Sequence, residues 1–307
     1  MNISKKQKPV LVLLIVLVVL ILAYVGLNVY NNGQDKKAEE EAKADTIYVT
    51  DIDSIQYMDY DFGSGETTFE CVDDTWYYTQ DKDFPLDESY PSSMAKTLGS
   101  LKADRELTDG DSLADYGLEN PGCTVKVKDA DGVETDIYIG NATGDYYYVT
   151  VGTEGKVYTV ASTEFSDMQT AVTDMAALDT FPTIGSGNLK KVEITENDTT
   201  TTIDSENDDD AEKIATSAGG LSVVALDTVA DYSADEAALK KFGLEETTST
   251  KVVVTYTDNK EEKTITFYLG TEDGNGNRYM KLANSDIVYQ VKTSTCDNIL
   301  GVTDDSE

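Results

Sequence analysis

The sequence predicts an α+β fold: an N-terminal transmembrane helix followed by two tandem repeats, each a mostly antiparallel sheet with short helices. Three observations lead there. An uncharged apolar run lies near the start, strands of alternating polarity are separated by Asp/Asn/Gly turns, and one order of landmarks occurs twice at a nearly constant offset.

The apolar run reads VLVLLIVLVVLILAYVGL from Val10 to Leu27 and continues to about Tyr30. As a helix it rises roughly 27–30 Å, the thickness of a bilayer core. A cleaved signal peptide has a shorter apolar region ending in small residues. Here Tyr24-Val25-Gly26-Leu27-Asn28 offers no such site, so residues 10–30 read as an uncleaved signal-anchor in contact with membrane lipid. Lys5, Lys6 and Lys8 sit close against one flank, whereas Lys36, Lys37 and Lys43 are spread beyond the other. That closeness and the short leading tail place residues 1–9 in the cytoplasm and the C-terminal part outside it. Residues 31–45, NNGQDKKAEEEAKAD, have no apolar side chain larger than Ala and read as a linker or stalk.

The repeat organises the remainder. Asp115-Tyr116-Gly117-Leu118-Glu119 precedes a strand pattern at 124–128, a turn at Asp129-Ala130-Asp131-Gly132 and a strand ending Ile137-Tyr138-Ile139-Gly140. Lys241-Phe242-Gly243-Leu244-Glu245 likewise precedes 251–257, a turn at Asp258-Asn259 and a strand ending Phe267-Tyr268-Leu269-Gly270. Tyr148, Val157 and Tyr158 then match Tyr279, Val288 and Tyr289 at an offset of 131. Phe165 and Met168 match Cys296 and Ile299 at the same offset. The predicted units are 46–175 and 181–301, each opening with strands: 54–60 and 66–78 in the first, 188–195 and 199–205 in the second. Val125 and Val127 share one face, as do Val252, Val254 and Tyr256, the period of half-buried strands. Gly117 and Gly243 are placed to stop a preceding short helix.

Trp76 followed by an acidic stretch and Phe84-Pro85, then Tyr116-Gly117-Leu118-Glu119-Asn120-Pro121, Ile139-Gly140 and Val157-Tyr158, resembles the bacterial domain-of-unknown-function family 4340. The resemblance is clearest over 70–170 and recurs, decayed, in the second copy. It implies a membrane helix and an accessory role beside an envelope ABC transporter; it supplies no catalytic residues.

The chain carries 24 Lys+Arg against 58 Asp+Glu, a formal charge of −34. Discounting Lys5, Lys6 and Lys8 leaves 21 against 58, or −37, for residues 9–307. A surface of that sign disfavours nucleic acid as a partner. With no histidine in the sequence, Ser-His-Asp, Cys-His and HExxH chemistry are excluded. Cys71, Cys123 and Cys296 have no CxxC spacing and read as buried apolar residues, Cys71 in a strand and Cys296 in a helix. Asp273-Gly274-Asn275-Gly276-Asn277 opens like a calcium loop but has Arg278 and Asn284 where an EF-hand needs Gly and Glu. Asp129-Ala130-Asp131-Gly132 reads as a hairpin turn, and Asn207-Asp208-Asp209-Asp210 as a solvated helix start. No catalytic, metal or cofactor residue is therefore assigned.

The remaining leads are aromatic. Trp76-Tyr77-Tyr78 and Tyr146-Tyr147-Tyr148 alternate faces along strands, so that part of each triplet turns away from the core and can anchor a partner. The expected function is a non-enzymatic, membrane-anchored, extracytoplasmic interaction protein with a protein partner in the cell envelope. The alternatives are a module binding a cell-wall polymer or cations, and a hydrolase using two carboxylates.

Overall fold

The computed structural model describes residues 46–63, 65–108, 112–152 and 155–302. The tail, membrane span and stalk expected at 1–9, 10–30 and 31–45 lie outside them. Among the described residues no helix is long and apolar enough to cross a membrane.

In chain order the first elements are β1 (Ile47–Tyr48), β2 (Ile55–Tyr60), β3 (Thr67–Val72), β4 (Thr75–Tyr78), α1 (Ser89–Gly99), β5 (Lys102–Ala103) and β6 (Arg105–Leu107). They continue with β7 (Cys123–Asp129), β8 (Glu134–Thr143), β9 (Tyr146–Val151) and β10 (Val157–Ala161), then three short 3-10 turns between Ser162 and Met175. The second series is β11 (Leu189–Glu196), β12 (Thr199–Asp204), α2 (Ala211–Leu221), β13 (Val229–Asp231) and α3 (Glu236–Lys241). It ends with β14 (Thr250–Asp258), β15 (Glu261–Glu272), β16 (Asn277–Leu282), β17 (Val288–Lys292) and α4 (Thr293–Ile299). By contact density the described residues fall into two compact units. One is drawn from 46–55, 60–63 and 94–166, the other from 56–59, 65–93 and 167–302.

Two large sheets share one plan. The first runs β4-β3-β2-β7-β8-β9-β10-β6, the second β12-β11-β14-β15-β16-β17-β13. Reading β2 with β11, β3 with β12, and β7 to β10 with β14 to β17, the orders coincide, and β4 is an extra edge strand of the first. The registers agree as well. Ile139 faces Val149 across β8 and β9, and Leu269 faces Met280 across β15 and β16. Each pair is followed by a register shift, at Ile139/Ala142 and at Leu269/Glu272. Tyr158 pairs with Val149 as Tyr289 pairs with Met280. These mostly antiparallel sheets with short helices are those of a duplicated domain.

Local chemistry sets the connections. Asp73-Asp74, Asn197-Asp198 and Asn259-Lys260 all have positive φ, the conformation that lets a two-residue hairpin follow the strand twist. One outcome corrects the sequence reading: 66–78 is a hairpin of β3 and β4, not one strand. Two adjacent acids cannot both keep to one solvent face of a strand, so Asp73-Asp74 breaks the alternation there and is the turn that the reading of 66–78 as one stretch passed over. A second correction lies at 113–117, where the chain makes hydrogen-bonded turns instead of a short helix. Its counterpart α3 does form. Asp235 accepts from the Ala238 N–H at 2.8 Å, Glu236 lies in its first turn, Lys240 and Lys241 lie in its last, and Gly243 at φ +68° ends it.

Both faces of the second sheet are packed. Val192, Val254, Phe267, Leu269, Met280 and Tyr289 form the main core under Ala218 and Leu221 of α2 and Cys296 and Ile299 of α4. The opposite face, one residue out of phase along each strand, holds a smaller cluster of Ala234, Phe242, Leu244 and Val288 with Tyr268 and Tyr279. In the first unit the matching small cluster is Tyr116, Leu118 and Val157 with Tyr138 and Tyr148.

Candidate functional site

The six aromatic candidates lie on β4 and β9, which belong to different compact units. Trp76 is buried opposite Cys71, and its backbone N–H donates to the Glu88 carboxylate at 3.0 Å. Tyr78, on the same face, sets its ring against Phe69 and Phe84, with centroids 6.0 and 5.9 Å away. Tyr77 turns to the other face and is half-buried. On β9, Tyr147 packs edge-on to Phe62 at 5.9 Å and to Phe165 at 6.1 Å. Tyr148 faces the small cluster, 4.6 Å from Tyr116. Tyr146 shares the face of Tyr148 and is half-buried. Alternation therefore does not deliver the β9 triplet to solvent, because that sheet carries apolar side chains on both faces. Tyr77 and Tyr146 are the members with the least ring packing described.

The feature most firmly built is the corner that each unit repeats around its Tyr/Phe-Gly-Leu. The Asn141 N–H donates to the Tyr116 carbonyl at 2.8 Å and the Thr271 N–H to the Phe242 carbonyl at 2.9 Å. Leu118 N–H reaches the Leu113 carbonyl and Leu244 N–H reaches that of Leu239, both at 2.8 Å. A Cβ on Gly140 would collide with the Tyr116 carbonyl oxygen, and one on Gly270 with that of Phe242. Gly117 and Gly243 adopt φ +71° and +68°, with Asn141 and Thr271 occupying the space a side chain would need. The arrangement fixes backbone at close quarters and offers no reactive group.

Titrating groups tell a similar story. Hydrogen bonds from the Ser89 hydroxyl and N–H hold Asp87 below the usual carboxylate range, and Ser112 does the same for Asp115. Lys126 and Lys128 lower Glu134. Asp273 is lowered by the Asn277 amide and the Asn275 N–H. Its Oδ1 accepts from the Asn275 and Asn277 backbone N–H groups, and its Oδ2 from the Asn277 and Gln290 side-chain amides. Oδ1 thus closes the turn, as Asp129 Oδ1 does by accepting from Asp131 and Val133 N–H, and Oδ2 ties the turn to Gln290 on β17. Burial pushes the Cys123 and Cys296 thiols up to about 11. Cys71 is only partly buried, a further departure from expectation: it lies one residue before the exposed end of β3 at Val72. The Asp208–Asp210 turn leads into α2, with Asn207 Oδ1 accepting from the Asp209 N–H.

Two polar networks escape the sequence reading. Tyr289 belongs to the main core, and its hydroxyl donates to Asp179 Oδ2 at 2.9 Å and accepts from the Asp179 N–H at 2.8 Å. Arg278 donates from Nε to the Gly270 carbonyl and from Nη2 to Thr250 Oγ1, which in turn donates to Glu196 at 2.7 Å. Tyr289 and Arg278 are visible as a repeat landmark and a calcium-loop mismatch. Their partners lie up to 110 residues away, where no spacing rule reaches.

The clefts are open. The first unit has one of about 420 Å³ beside Thr50, Asp51, Thr135, Lys156 and Tyr158. The second unit has one of about 320 Å³ over its small cluster, lined by Leu239, Leu244, Tyr268, Glu245 and Lys281. Among the described residues no group of three or more Cys, Asp or Glu is gathered as metal ligands.

Compared with known families, the chain matches a model described as domain of unknown function (DUF4340), over residues 76–223 and again over 210–300. No curated protein and no solved structure matches it.

Proposed function

The chain belongs to the DUF4340 family, and on that premise we propose that it is a non-enzymatic interaction protein, anchored by residues 10–30, that presents a duplicated extracytoplasmic sheet domain to a protein partner in the envelope. The observation that carries this reading is the use made of the perturbed groups. Catalytic sites raise the pKa of an acid or lower that of a nucleophile. Here hydrogen bonds in turns hold Asp87, Asp115 and Asp273 below the usual carboxylate range, cross-strand lysines do so for Glu134, and burial pushes the three thiols up. Those are the signs of groups that hold a scaffold. Two copies on one anchor give area for docking, and binding energy at such a surface concentrates in a few aromatic side chains.

The partner fits beside a membrane transporter, where an anchored accessory meets it in the plane of the bilayer. Tyr77→Ala and Tyr146→Ala, made in the full chain, should each weaken co-purification of the crosslinked membrane partner at least tenfold. Neutralising Asp208–Asp210 should leave it unchanged. The purified chain should turn over none of a panel of glycoside, peptide and ester substrates. Turnover abolished by a single Asp or Glu substitution would overturn the proposal in favour of a hydrolase. Protease added to protoplasts should remove the sheet domain, and its protection would refute the orientation.

A further inference from the structure

The two sheets differ at one edge. In the first, β3 is covered by β4, with Phe69 opposite Tyr78 and Val72 opposite Thr75. In the second, β12, the counterpart of β3, is the last strand. Its residues Thr199, Thr200, Thr201 and Thr202 are exposed, and its only sheet partner among the described residues is β11. The direction of its backbone groups can be worked out. The Ser205 N–H donates to the Lys190 carbonyl, toward β11, whereas the Asp204 N–H turns outward and donates to Asp210 Oδ2 at 3.1 Å. Backbone groups alternate sides along an antiparallel strand, so Thr200 and Thr202 turn both N–H and C=O away from β11, toward the open edge.

Sheet edges are ordinarily blunted by lysine, proline or a bulge. The run Thr199–Thr202 has none of these: it pairs with β11 in unbroken register from Thr199 to Asp204. Asp210 closes the far end, leaving a window about as long as the four-residue β4 that fills the same place in the first sheet. Asp198 precedes the window, and Asp204 and Glu206 follow it. A second copy of this chain, pairing antiparallel, would set acid against acid at both ends.

We infer that β12 is a docking edge for an extended segment of a partner protein, added as an eighth strand beside Thr200 and Thr202, whose flanking residues are basic. Main-chain bonds supply the pairing and the acidic ends choose the partner. The inference deepens the interaction reading above but involves a different surface from Tyr77 and Tyr146.

The test uses the full chain in detergent and the synthetic peptide Lys-Lys-Thr-Val-Thr-Val-Thr-Lys-Lys, read by amide hydrogen exchange. Exchange at Thr200 and Thr202 should slow at least tenfold with this peptide, and not with the same peptide ended in Glu-Glu. The doubly substituted chain T200P/T202P should lose peptide binding while its melting temperature stays within a few degrees, because those N–H groups serve no bond to β11. D198K/E206K, which leaves the edge backbone intact, should reverse the preference between the two peptides. Equal protection by both peptides, or by neither, would overturn the inference. So would slow exchange without peptide: if it rises with protein concentration, a second copy fills the edge, and if it does not, the chain covers the edge itself. Enzymatic turnover would sink the non-catalytic reading and leave this result standing.

Discussion

The two copies of the domain agree where backbone meets backbone and part company where side chains have choices. At the corner, Tyr116 and Tyr148 lie 4.6 Å apart at 52°, and Phe242 and Tyr279 lie 4.5 Å apart at 50°. Yet Tyr has become Phe, and Asn141 has become Thr271. Elsewhere the copies diverge freely. Phe165 sits in a 3-10 turn where Cys296 sits in α4, and β4 covers an edge of the first sheet whose counterpart, β12, has no further strand beside it among the described residues. A glycine pressed against a carbonyl has no alternative residue, whereas an apolar position needs only the right volume.

That comparison can be broken most directly at the glycines. Gly270→Ala and Gly140→Ala should each destabilise the chain by about 3 kcal/mol, the upper range for forcing extra volume into a packed site. Urea melts of both variants check this, and a mild effect in either would show that the corner is not equivalent in the two copies. Tyr289→Phe should cost about 2 kcal/mol, because it strands the Asp179 N–H and carboxylate that the hydroxyl ties together. The same melts read that loss. Gly132→Ala should cost about 1 kcal/mol. It strains a residue at φ +79° but meets nothing within 4 Å, which separates conformational strain from collision.

Acid gives a smaller and shared effect. Asp115 beside the first corner and Asp273 in the second copy have folded pKa values below their ordinary 3.8. Each therefore contributes stability that is fully present above 3.8 and is lost as pH falls through the lowered folded value. Asp115→Asn and Asp273→Asn should shallow the decline in melting temperature between about pH 5 and about pH 2. A steeper decline would mean that these carboxylates are not the ones stabilised by folding. The smallest effect is at the thiols. At about pH 8 iodoacetamide should modify Cys71 before Cys123 and Cys296, whose thiols burial holds at about 11.

By itself the sequence determined the duplication, the antiparallel strands, the turns at 129–132 and 258–259 and the stop at Gly243, but not the turn at Asp73-Asp74 or the lack of a helix before Gly117. Each of these is local: a period of two, an Asp/Asn pair at positive φ, or a Gly after Phe242 states its own geometry. It also carried the family resemblance, which the family match over 76–300 bears out. Only the tertiary structure decided which faces are covered. Both faces of the sheets carry apolar clusters, so alternation along Tyr146–Tyr148 could not say which ring meets solvent. Only tertiary structure brought Asp179 to Tyr289 and Arg278 to Thr250, and only it set β4 beside β3 while giving β12 no such neighbour among the described residues. Burial, partner and edge depend on residues scores of positions away, and chain spacing carries no record of what folding places alongside.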